Sequence, residues 1–296
     1  MKWLEALRRS LRQIESLEAR MRRVQEALGR IERRQLRTHA GGAWRDQEFR
    51  VFSQWGEDGL IQHLVAEVPI ARRVFVEFGV EDYQEANSRF LLVNDGWAGL
   101  VMDADENNIR RIRRDPLFWK HNLKARHAFV TRENIDGLLA EQSLSGDIGL
   151  LSIDIDGNDY WVWEPLTAVS PAIVVIEYNA RFGPARAVSV PYDERFERSK
   201  AHHSMIYYGA SLRALWLLGR RKGYALVGCN AAGNNAFFVR KDLQPASLPA
   251  QRPEQAFVPA RFREARDERG ELALLDASQE EEILRGLPLV EVEEPR

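Results

Sequence analysis

The sequence predicts an α/β fold: a Rossmann-like, mostly parallel sheet with an antiparallel last strand, preceded by an N-terminal coiled-coil helix. Three observations predict it. From Phe49 onward, strand-length apolar runs alternate with helical segments, the pattern of a parallel sheet with crossover helices. The last two runs, YALVGCN and NAFFVRKD, are joined by a short Gly-containing turn, so they form a hairpin that reverses the final strand. Ahead of them, Leu4, Leu7, Leu11, Ile14, Leu17, Met21, Val24, Leu28 and Ile31 recur in steps of three and four, a heptad seam with one stammer at Ile14.

The first segment lacks Pro and carries Glu and Arg beside its seam, so a long helix is expected. A narrow apolar stripe must be buried against something. A second copy of the chain is the simplest occupant, with a partner's coiled coil or an anionic membrane surface as alternatives. Gly41 and Gly42 then break the helix. Strands are expected at 73–79, 99–105, 124–130, 148–156 and 172–179, before the closing hairpin. The helix ENNIRRIRR follows the second strand and takes Asp105 as its cap. After Leu243 the chain turns Pro-rich and then charged, with one late helix near SQEEEILRGL. The predicted organisation is a coiled-coil helix over 1–40, a Rossmann-like domain over 45–245 and a C-terminal extension over 246–296.

With 296 residues, 45% of them apolar, the chain can bury one sizeable core. The formal net charge of −2 conceals a basic head, since residues 1–38 hold eleven Lys or Arg against five Glu. The body is therefore acidic, which argues against nucleic acid as a partner. No apolar run reaches the length needed to cross a bilayer and the start does not resemble a signal peptide, so a cytoplasmic protein is expected, peripheral to the inner face of a membrane if the basic helix docks there. Cys229 is the lone cysteine, which excludes intrachain disulfides and Cys-based zinc clusters. No phosphate-binding glycine loop and no nucleophilic triad is spaced persuasively.

In an open parallel sheet, ligands sit beyond the carboxyl ends of the strands. This chain places acids there: Glu77 before Gly79, Asp103 and Asp105, Asp154 and Asp156, and Glu177. A carboxylate after the second strand can take both hydroxyls of a ribose, and a glycine after the first lets backbone approach closely. Asp154 and Asp156 would repel each other unless protonated or bridged by a cation. Alternation places both on one face, and a neighbouring fifth strand would bring Glu177 and Asn179 to the same ion, of the Mg²⁺ or Mn²⁺ kind. An EF-hand is excluded, because the glycine of DIDGND is fourth and position twelve is Pro165. His202 and His203 are candidates for a base overhanging the strand ends.

The set VEFGVEDY, GLVMDAD and LLSIDIDGNDYWVW, followed by VVIEYN and NAFFVR, resembles the FkbM-like group of class I methyltransferases over about residues 50–243. The resemblance implies S-adenosylmethionine as cofactor and a sugar or glycan-type hydroxyl as acceptor. It also implies that Glu77 and Gly79 border the methionine moiety, Asp103 holds the ribose, Glu133 or Asn134 lies near the adenine, and Asp154 and Asp156 face the reacting centre. Where the group's first motif continues with glycines, this chain has Glu81 and Asp82. Two other functions fit parts of the pattern. A metal-dependent glycosyltransferase would use Asp103-Ala104-Asp105, and a non-catalytic Rossmann scaffold would need none of these acids.

Overall fold

The structure is a computed structural model and describes residues 2–38 and 42–293. Gly41 of the expected linker and residues 294–296 of the extension lie outside the described residues, as do the side chains of the seam residues Leu4, Leu7 and Leu11.

A 37-residue helix α1 (Lys2–Thr38) opens the chain, and a strap over 43–56 leads to α2 (Glu57–Glu67). The crossover units follow: β1 (Val74–Phe78), α3 (Arg89–Asp95), β2 (Ala98–Asp103), α4 (Glu106–Arg114), α5 (Pro116–Lys120), β3 (Leu123–His127), α6 (Ile135–Glu141) and β4 (Gly146–Ile153). Next come α7 (Asp159–Trp163), β5 (Val169–Glu177), the short β6 (Val188–Ser189), α8 (Arg198–Ala201) and α9 (Leu212–Arg221). The hairpin β7 (Tyr224–Cys229) and β8 (Asn235–Arg240) precedes α10 (Pro253–Ala256), α11 (Ala277–Arg285) and β9 (Val290–Glu291).

Seven strands form one sheet in the order β3-β2-β1-β4-β5-β8-β7. Only β8 runs against its neighbours, as the tight turn requires. The fold is thus a Rossmann-like α/β sheet with a reversed last strand. Its central strands are apolar on both faces because helices cover both. Val76, Leu100, Leu151 and Val174 pack on one side, and Phe75, Val101, Leu150 and Ile173 on the other. Asp105 caps α4 through the Asn107 amide at 2.8 Å, as expected.

The body claims one face of α1. Gly29 is buried where an added Cβ would lie 2.4 Å from Val51 and 3.2 Å from Phe90, so only a glycine lets the helix approach this closely. Arg33 pairs with Asp95 at 2.6 Å, Arg22 donates to Gln84 at 3.1 Å, and Leu36 packs against the cluster of Phe49, Val51, Phe52 and Phe90. The seam residues Ile14, Leu17, Met21, Val24, Leu28 and Ile31 face away from it and are 48–71% exposed. The C-terminal half of α1 therefore packs on the body, with the seam residues on its other side.

The strap is held in turn by Asp58, whose Oδ2 accepts the amides of Val51, Phe52 and Ser53 at 2.7–2.8 Å and the Ser53 hydroxyl at 2.9 Å. Trp44 closes it onto the hairpin by donating to the Cys229 carbonyl at 2.8 Å. Beyond Leu243 the chain packs back on the body. β9 pairs with β6, and Ala265 and Leu284 join Phe182, Val188 and Ile206 in a satellite core. Among the described residues, no helix is long and apolar enough to cross a membrane.

Candidate functional site

A cleft of about 650 Å³ lies across the carboxyl ends of β1, β2, β4 and β5. Eight carboxylates line it, Glu77, Glu81, Glu85, Asp103, Asp154, Asp156, Glu177 and Glu264, against two guanidiniums, Arg198 and Arg263.

At the end of β1, Glu77 is buried and spends its carboxylate on its own loop. It accepts the amides of Asn87 at 2.8 Å and Ser88 at 3.0 Å, and also the Ser88 hydroxyl. Burial nonetheless raises its pKa. Gly79 follows in the left-handed region, φ +70°, with an ideal Cβ only 1.5 Å from the Asp154 carbonyl oxygen. The close approach that demands this glycine is therefore to the backbone just beyond β4, while the residue still borders the cleft.

Asp103, at the end of β2, receives Glu81 N on Oδ2 at 2.8 Å, and Asp105 N and Asn108 Nδ2 on Oδ1 at 2.8 and 3.1 Å. A carboxylate offers about four acceptor positions, so three donors leave one open on a residue that lines the cleft. Glu133 and Asn134 are not brought to the cleft lining. Glu133 is exposed and accepts the Tyr192 hydroxyl, while Asn134 closes the turn after β3 through Thr131 N at 2.8 Å and the Phe129 carbonyl at 2.9 Å. Asn134 thereby shapes the backbone that presents Phe129, which does line the cleft.

β4 and β5 are neighbours with Ile153 opposite Ile176, so Asp154 and Glu177 emerge side by side. The third carboxylate beside them is Asp159, not Asp156; one oxygen from each of Asp154, Asp159 and Glu177 lies within 4.8 Å of the others. Asp159 is held there by accepting Ile155 N at 2.9 Å and Gly157 N at 3.0 Å. Asp156 leaves the group because β4 ends at Ile153 and the backbone turns at Asp156, φ +57°. Strand alternation therefore no longer applies, and Asp156 pairs with Arg198 at 2.9 Å. Asn179 also stays out of the cluster. It is buried with Nδ2 donating to the carbonyls of Ile206 and Tyr208 at 2.8 and 3.0 Å and Oδ1 accepting Arg181 N.

Burial, and then the neighbouring carboxylates, push Asp154 and Glu177 well above the usual carboxylate range. Burial pushes Asp159 up to about 6 against the amides that favour its charge. Arg198 is the cation that offsets them, and Glu264 holds it from the other side. His202 and His203 do not line the cleft. Their rings lie 4.2 Å apart and His202 Nδ1 contacts the Ser204 hydroxyl at 2.7 Å. Sequence reasoning missed Asp159, Arg198, Asn158, Asn235, Trp55 and Phe262, all of which belong to the cluster or the cleft lining. The DIDGND run contained the signal for Asp159 and Asn158; the others come from distant segments with no local signature.

No protein-family model matches the chain, and no curated protein matches it. Among solved structures it is similar to the N-terminal domain of EvdMO1, determined in the presence of SAH and D-fucose, at 14% identity and a TM-score of 0.40 over 62% of this chain and 80% of that one. It is also similar to the O-methyltransferase from Bacillus cereus in complex with SAH, at 14% identity and TM-score 0.38 over 62% and 78%. A putative O-methyltransferase from Klebsiella pneumoniae aligns at 14% identity and TM-score 0.37 over 62% and 77%. The fold assignment rests on the strand order and the reversed β8.

Proposed function

We propose that the chain is an S-adenosylmethionine-dependent O-methyltransferase acting on a sugar or glycan-type hydroxyl. The observation that carries this reading is the acidity of the cleft: setting aside Asp154 and Glu177, whose charge burial disfavours, six carboxyl groups face two guanidiniums at the carboxyl ends of a Rossmann-like sheet. A sulfonium that also bears an ammonium group suits such a field, whereas a sugar diphosphate would be repelled by it. Asp103 supplies a ribose acceptor at the end of β2. The glycosyltransferase reading needs Asp105 beside Asp103 for a cation, and Asp105 is instead committed to the cap of α4 and is not among the residues lining the cleft.

In the reaction, the acceptor oxygen attacks the methyl carbon in line, its bond to sulfur breaks, and a methyl ether and S-adenosylhomocysteine result. The acceptor proton passes to a carboxylate oxygen of Asp154. Glu177 lies beside it, and neither histidine is among the residues lining the cleft. The clustered oxygens of Asp154, Asp159 and Glu177 also support a second reading, in which they hold a divalent cation such as Mg²⁺ or Mn²⁺. They fit one, since all three donors are hard and Glu177 Oε2 is buried without a partner. A cation there would supply Lewis-acid stabilisation of the acceptor oxygen.

Calorimetry tests both parts. S-adenosylhomocysteine should bind and a uridine diphosphate sugar should not, and Asp103→Ala should weaken binding by about 1.5–3 kcal/mol, roughly 10- to 150-fold. Wild-type affinity in that variant, or binding of the nucleotide sugar instead, overturns the assignment. Activity that survives exhaustive chelation removes the cation.

The exposed seam of α1 is proposed to pair with the same seam of a second copy, because a 3.5-residue period is what a facing helix requires. Replacing Val24 and Leu28 by Asp should lower the mass in light scattering without touching the docked face. An unchanged mass combined with lost binding to anionic vesicles would assign the helix to a membrane.

A further inference from the structure

Three buried acceptor atoms among the cleft residues have no hydrogen-bond partner: Glu177 Oε2, Asn158 Oδ1 and Asn235 Oδ1. The two amides cannot be turned to relieve this. Asn235 Nδ2 donates to Glu57 Oε1 at 3.0 Å and Asn158 Nδ2 to the Asp193 carbonyl at 2.8 Å, and both of those partners can only accept. Turning either amide would set oxygen against oxygen. Asn235 is also paired with Glu177 across β5 and β8, so two of the unfilled acceptors sit on facing residues of one ladder.

An apolar wall completes the arrangement. Trp55 and Phe262 stack with centroids 5.5 Å apart and planes at 26°, and both line the cleft. They come from opposite ends of the chain, the strap before α2 and the segment after α10. Buried Glu57 joins the two halves, because its Oε2 accepts Trp55 N at 3.0 Å while its Oε1 holds Asn235.

We propose that Asn235, Asn158 and the Trp55–Phe262 pair form the acceptor subsite, and that Glu57 is the positioning residue that keeps the Asn235 amide oxygen turned into it. The inference rests on the methyltransferase reading and deepens it. The acceptor it selects is an uncharged ring that presents several hydroxyl donors on one edge and an apolar face to the aromatics. Donors fill the orphaned oxygens, and the apolar face lies against the Trp55–Phe262 stack. An anionic acceptor meets a cleft with more carboxyl groups than guanidiniums and is rejected.

The test is a fluorescence titration of the full chain, saturated with S-adenosylhomocysteine, with myo-inositol and methyl α-glucopyranoside as neutral polyols and glucose 6-phosphate as the anion. The polyols should bind and the phosphate should bind about tenfold more weakly or not at all. Asn235→Leu and Trp55→Ala should each weaken polyol binding by roughly tenfold while leaving S-adenosylhomocysteine affinity unchanged. Glu57→Gln supplies the readout that a merely structural role would not move. Its amide can donate, so Asn235 is free to turn its NH₂ into the cleft, and the preference for polyol over phosphate should shrink. Trp55→Ala keeps the idea testable if Glu57→Gln fails to fold. Wild-type protein that binds S-adenosylhomocysteine but none of the polyols, or polyol affinity equal in Asn235→Leu, Trp55→Ala and wild type, overturns the subsite alone. Failure to bind S-adenosylhomocysteine overturns the methyltransferase reading beneath it.

Discussion

Gly79→Ala is expected to cost about 3 kcal/mol or more of folding stability and to abolish S-adenosylhomocysteine binding. A φ of +70° is open to glycine and carries a penalty of about 1–2 kcal/mol for alanine. The larger part comes from contact, because the new methyl would sit 1.5 Å from the Asp154 carbonyl oxygen. That atom is backbone of the adjoining strand end, so relief requires β1 and β4 to part where Glu77 and Asp154 enter the cleft. Urea denaturation and calorimetry check the two effects together. A variant within about 0.5 kcal/mol of wild type, the range of an ordinary surface change, would mean the strand ends separate freely.

Asp58→Ala should remove about 3–5 kcal/mol, since three backbone amides and the Ser53 hydroxyl lose their acceptor inside the protein. The damage spreads along the strap to Val51, on which Gly29 of α1 rests, and to Trp55 at the cleft. Asp58 also makes a pH prediction. Burial holds its carboxyl at about 6 in the folded protein, above the ordinary value of about 3.9 in an unfolded chain. The folded state thus holds this proton more tightly. The contribution is full below about pH 4 and is lost as pH rises to about 6, a change on the order of 3 kcal/mol. Asp58→Asn should flatten that slope, and melting curves between pH 4 and 7 would show whether it does.

The sheet was legible because strands buried on both faces are unbroken apolar runs, and the hairpin because its turn is short and contains glycine. The convergence of Asp154 and Glu177 was legible for the same reason, each being the first acid after such a run. Asp156 was misplaced because alternation was carried past Ile153, where the strand stops. Asn179 looked like a ligand by its position after β5, yet three backbone groups claim it first. His202 and His203 were read as overhanging the strand ends, a placement that only the path of the 180–210 segment decides. Phe262 and Glu264 lay in a stretch that reads as a tail, because nothing local signals that Arg181 and Arg198 await its carboxylate.

The reversed direction of β8 has a consequence for how the chain tolerates change. Parallel strands reach the cleft with their last residues, after which a crossover of any length can follow. β8 reaches it with its first residue, Asn235, only six positions after the end of β7. Its placement is therefore counted out along a turn that Asn230 closes by accepting the amides of Gly233, Asn234 and Asn235 at 3.1 Å. A single residue deleted there would bring Ala236 to the place of Asn235, putting a methyl group where an amide now stands beside Glu177. Length changes of the same size in the loops after β2 or β3 carry no such arithmetic. Loop grafting that alters what this protein accepts should begin at those crossovers and leave the hairpin at its present length.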